Sequence, residues 1–213
     1  MRPDRAGRWL REEHRPDVDR FLALLILGLY GAYGVSMGLF TGAGPGGVSA
    51  LKLPLMFTLT QAVCFPAFYV INCRIGPAFR PWQCRRVLLL AASANAAAVA
   101  SYAPLSYFFA LTTSATDGGY AFLVFMHIAV FGIAGLLSVG LVAWLFRAAA
   151  FLRGRPMRAV TVWLWGLLYG VVGAEMSWAM RPWIGWPGEP YQFFKGTHGS
   201  FLESLLRVVE IVF

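Results

Sequence analysis

The chain has 213 residues, of which 58% are hydrophobic and 13% charged, and it carries a net charge of +8. Its apolar residues gather into long stretches with arginines between them, which describes a polytopic membrane protein rather than a basic soluble domain. Nucleic-acid binding is excluded as the use of the positive charge, because no basic module interleaved with aromatics is present.

Residues 1–20 form a basic head with Arg2, Arg5, Arg8, Arg11, Arg15 and Arg20. The same segment holds Asp4, Glu12, Glu13, Asp17 and Asp19, which is atypical of the short basic start of a signal peptide. The apolar run that follows exceeds the about 7–15 residues of a signal core, so it reads as a signal anchor. The predicted transmembrane helices are Phe21–Thr41, Leu53–Ile71, Val87–Thr113, Gly119–Phe146 and Ala159–Met180. Each is near or above the ~20 residues that a ~30 Å hydrocarbon core requires. Together they make an all-α membrane bundle over residues 21–180. The connections 42–52, 72–86, 114–118 and 147–158 are too short to hold a soluble domain.

All 18 Lys and Arg residues except Lys52, Arg181, Lys195 and Arg207 fall in the head, the second connection or the fourth. Positive charge in short loops stays cytoplasmic. The N-terminus is therefore expected inside and the C-terminus outside, across a cell inner membrane.

Helices in lipid associate through close packing of small residues. The first span offers Gly34-x-x-x-Gly38 and the fifth Gly166-x-x-x-Gly170. These stripes predict a tight bundle, or an interface with a second copy or a partner membrane protein. Pro66 and Pro104 predict kinks in the second and third spans.

An ionisable residue inside a bilayer is costly and marks a candidate site. His127 and Glu175 both fall toward the outer leaflet, with Asn95 and Gln61 nearer the middle. One reading places the four on a polar cavity open to the outer face. The other is structural: Glu175 pairs with Arg181, Lys195 or His127, while Asn95 and Gln61 bond between helices. No catalytic template is present: there is no nucleophile elbow, phosphate-binding loop or dinucleotide fingerprint. Cys64, Cys73 and Cys84 lack the spacing of a zinc site, so no metal and no cofactor are expected.

Residues 181–213 form an outer tail. Trp178, Arg181, Pro182, Trp183, Glu189, Phe193 and Phe194 build an aromatic, turn-rich segment suited to the headgroup belt. Phe201–Phe213 has a broad apolar face and is too short to span, so it reads as an interfacial amphipathic helix.

The run Leu51-Lys52-Leu53-Pro54-Leu55 through Cys64-Phe65-Pro66 to Asn72, with Ser177-Trp178, Arg181-Pro182-Trp183-Ile184-Gly185, Glu189-Pro190 and Phe193-Phe194, resembles a group of short multi-pass bacterial inner-membrane proteins of unassigned function. The arrangement of five spans with the N-terminus inside is also similar to the Yip1-like membrane proteins, which implies a membrane-organising role. The leading expectation is a non-enzymatic scaffold or accessory subunit of a membrane complex, in contact with lipid and with a protein partner or a second copy. The alternatives are a small transporter or channel component, and an enzyme acting on lipid or quinone.

Overall fold

The computed structural model describes residues 15–75, 79–153, 159–181 and 184–185. Six helices run through them: α1 Pro16–Gly38, α2 Ala43–Ile75, α3 Pro81–Ser101, α4 Ala103–Thr112, α5 Asp117–Arg153 and α6 Ala159–Ala179. The described residues contain no strand. With α3 and α4 taken as one rod, five helices are long and apolar enough to cross a membrane. Pro182, Trp183, Glu189, Phe193, Phe194 and the expected helix Phe201–Phe213 lie outside the described residues, as does most of the basic head.

The helices extend past the apolar stretches that announced them. Pro16 opens α1, where its fixed φ suits the first turn, and Asp17 and Asp19 face the positive end of the helix dipole. The expected second loop shrinks because α2 runs on through Asn72 and Arg74, and α3 begins at Pro81. The Arg80 N–H donates to the Gln83 side chain at 2.9 Å and closes the start of α3.

The largest departure is between the first two spans. The glycine- and proline-rich segment after Gly42 is helical from Ala43, so Lys52 lies within α2 rather than in a loop. Proline is tolerated in the first turn, which accommodates Pro45. Gly42, at φ 129°, turns the chain in a conformation that a side chain would strain. Contact with α1 overrides the weak helix propensity of the glycines: a Cβ at Gly38 would meet the Gly46 Cα at 2.6 Å, and one at Gly34 would meet the Ala50 Cα at 2.8 Å and the Ser49 carbonyl.

Pro54 and Pro66 lie inside the continuous α2. Between the two prolines the Thr58 hydroxyl donates to the Pro54 carbonyl at 2.8 Å. Pro104 falls in the first turn of α4, just past Tyr102, where the rod breaks into α3 and α4.

α1 packs along α2 and also meets α3 and α4; α5 rests on α3, and α6 on α2. α5 and α6 touch little, which leaves a seam between them. Phe21, Leu24, Phe125, Leu136, Leu137, Trp163 and Leu167 are exposed, as the outer face of a bundle in hydrocarbon should be.

Candidate functional site

Among the described residues, polar side chains gather at both ends of the bundle and between them. At the end shared by the start of α1, the end of α2 and the start of α3, Arg85 bonds the Asp19 carboxylate through Nε at 3.1 Å and through a terminal nitrogen at 2.5 Å. Arg86 places its Nε 3.5 Å from the other Asp19 oxygen and is almost completely buried. Its guanidinium also lies 5.3 Å from the Trp82 ring centre. Nearby, Asn72 donates to the Cys84 sulfur at 3.3 Å. Hydrophobic contacts of Phe68, Phe79, Val87, Leu145 and Trp165 fill the bundle just below.

At the opposite end, Lys52 has 0% exposure and donates to the Met180 carbonyl at 3.2 Å. It caps a backbone oxygen past the end of α6, where a cation also suits the negative end of the dipole. Thr41 donates to the Ile184 carbonyl at 2.7 Å, and Ile184 packs with Met37 and Leu123. Arg181 turns back onto α6: its Nε donates to the Trp178 carbonyl at 3.1 Å, and its guanidinium stacks 3.2 Å from the Trp178 ring centre.

Between these ends lies a column of neutral groups. The Tyr33 hydroxyl and His127 Nδ1 share a 2.6 Å hydrogen bond whose direction follows the imidazole tautomer. The rings meet edge to face, and Ser106 lies beside the Tyr33 hydroxyl. One turn earlier in α1, the Tyr30 hydroxyl donates to Asn95 Oδ1 at 2.7 Å while its ring stacks on Phe57 at 4.1 Å.

Gln61 and Asn95 lie on the wall of one cavity, of about 240 Å³, between α2, α3, α5 and α6. Gln61 donates to the Leu88 carbonyl at 3.2 Å and lies beside the Tyr169 hydroxyl. Ser138, on the same wall, donates to the Ala134 carbonyl at 3.0 Å. His127 is absent from this wall, and so is Glu175, which lies half-buried on α6. The four candidates therefore separate into a cavity pair, a tyrosine-bonded histidine and a carboxylate near the end of α6. The glycine stripes separate too. Gly34 and Gly38 hold the α1–α2 crossing, whereas Gly166 and Gly170 line the cavity and meet no neighbouring helix backbone.

Tyr30, Tyr33, Lys52 and Arg86 escape a reading by residue class. Tyrosine passes as an apolar or interfacial residue, and the two cations pass as topology signals. The three-residue spacing of Tyr30 and Tyr33 on one helix face was the available clue for the first pair. Among the described residues, no cluster of His, Cys, Asp and Glu could hold a metal ion. No family model matches the chain, and neither does any curated protein or solved structure.

Proposed function

We propose that this chain is a multi-pass, non-enzymatic integral membrane protein that serves as a scaffold or accessory subunit of a membrane complex. The N-terminus faces the cytoplasm and the C-terminus the other side. A bacterial inner membrane is what the resemblance of its second span and tail implies, and a membrane-organising role is what the topological similarity to Yip1-like proteins implies. The observation that carries the reading is that buried charged side chains tie both ends of the bundle. Asp19 with Arg85 and Arg86 joins α1 to α3, and Lys52 joins α2 to the end of α6. Alternating access requires two packings of similar energy, related by rocking or sliding of helices. Motion of that kind here would separate the buried Arg86 from Asp19, at a cost of about 3–5 kcal/mol, and would pull Lys52 from the Met180 carbonyl. A scaffold needs only one packing.

The test is extraction in native-lipid nanodiscs followed by mass spectrometry of everything that accompanies the chain. A membrane protein at fixed stoichiometry, or a defined oligomer of this chain, is the expected result. A lone chain surrounded only by bulk lipid refutes the scaffold reading.

A further inference from the structure

We propose that the cavity between α2, α3, α5 and α6 binds a neutral, carbonyl-bearing ring compound dissolved in the hydrocarbon core, the chemistry of a lipid quinone. The site is separate from the ties that carry the scaffold reading and does not depend on it.

Position restricts the source of the ligand. The lining residues Gln61, Asn95, Gly135 and Tyr169 each fall near the middle of their span. Gly132, Leu136 and Gly170 are both exposed and part of the lining, so the mouth opens sideways through the α5–α6 seam. A molecule entering there comes from the middle of the bilayer. Phospholipid ester groups lie at the edge of a ~30 Å core, roughly 15 Å away, so a ligand resident in the core fits better than a phospholipid headgroup.

The wall restricts the chemistry. Among the described residues no charged side chain lines the cavity, and an ionised ligand buried without a counter-charge would be strongly disfavoured. Phe131, Trp165 and Tyr169 supply aromatic surface. The Asn95 oxygen is occupied by the Tyr30 hydroxyl, so the donors Asn95 has left are its amide hydrogens. Those hydrogens need an acceptor that carries no charge, and a ring carbonyl is one. The Ser138 hydroxyl hydrogen is already directed to the Ala134 carbonyl. Size agrees: an apolar cavity of about 150 Å³ accepts benzene, so about 240 Å³ has room for a substituted ring.

The test uses the full chain in phosphatidylcholine nanodiscs, photolabelled with an azido-quinone and mapped by mass spectrometry. Decylubiquinone is one competitor; decylbenzene, which lacks the carbonyls, is the other. Adducts are expected on residues 131–139 and 165–170, displaced by decylubiquinone at a concentration at least tenfold below that needed for decylbenzene. Gly135→Leu and Gly170→Leu fill the cavity from opposite helices, and a Cβ at either position meets nothing within 4 Å. Each is expected to fold and to cut labelling at least tenfold, so one suffices if the other expresses poorly. Labelling that persists in a folded filled variant, adducts scattered over the outer surface, or equal competition by decylbenzene would overturn the proposal.

Discussion

Replacing Asp19 by Asn should destabilise the bundle far more than removing Arg85, its closest partner. The Arg85 side chain is 49% exposed and that of Asp19 9%, whereas that of Arg86 is 2% exposed. An ion pair with one half-solvated member contributes only about 0–1 kcal/mol. Asp19→Asn, by contrast, leaves the Arg86 guanidinium buried without its carboxylate, at a cost of about 3–5 kcal/mol. At roughly 2–4 °C per kcal/mol for a chain of this size, Asp19→Asn should lower Tm by roughly 6–20 °C. Arg85→Ala should lower it by at most a few degrees. The assay is thermal unfolding in a mild detergent, followed by a thiol-reactive dye, since Cys64 and Cys84 are buried and become reactive on opening. The double variant Asp19→Leu with Arg86→Met removes both charges and should recover most of the loss, because a buried pair is worth little against apolar side chains of similar size. Equal effects of Asp19→Asn and Arg85→Ala, or a double variant no better than Asp19→Asn, would refute the reasoning.

Gly34→Ala should reduce folded yield sharply, because its Cβ would strike the α2 backbone, while Gly28→Ala, with nothing within 4 Å, should be silent; size-exclusion profiles of the two in parallel decide this. A double-mutant cycle of Tyr33→Phe and His127→Phe should return a coupling of about 1 kcal/mol for the shared hydrogen bond, and additive losses in thermal unfolding would contradict it. Lys52→Met should speed amide exchange around Met180 and Ile184 while leaving the α1–α3 end protected; uniform acceleration would mean that Lys52 supports the whole bundle instead. Cys73 is exposed near the end of α2, on the side expected to face the cytoplasm. A membrane-impermeant maleimide should label it in inverted vesicles and not in intact cells, and the reverse pattern would invert the proposed orientation.

Five apolar stretches were enough to find five membrane-length helices, because hydrocarbon forces the backbone to satisfy its own hydrogen bonds and only helices do so locally. Helix ends were less legible. Arg74, Arg85 and Arg86 lie on helices because charge marks the depth at which a span leaves the apolar core, not the residue at which hydrogen bonding stops. The Ala43–Val48 segment carries every local sign of a loop, and only its fit against Gly34 and Gly38 makes it helical. Of the polar candidates, Gln61 and Asn95 were placed by depth and do share a cavity. The separation of His127 from them follows from Tyr33, whose partner lies 94 residues away in the chain and leaves no local trace.

The bond from Lys52 to the Met180 carbonyl joins residues 128 positions apart, which has a consequence for biogenesis. Lys52 enters the translocation channel with the second span, whereas the oxygen that receives it is synthesised only after the fifth. A nascent chain that has delivered α1 and α2 already has its glycine-packed hairpin, since both partners are close in sequence. It still lacks the far end of this bond, so the lysine on α2 meets this carbonyl only after α6 has been made and has packed on α2.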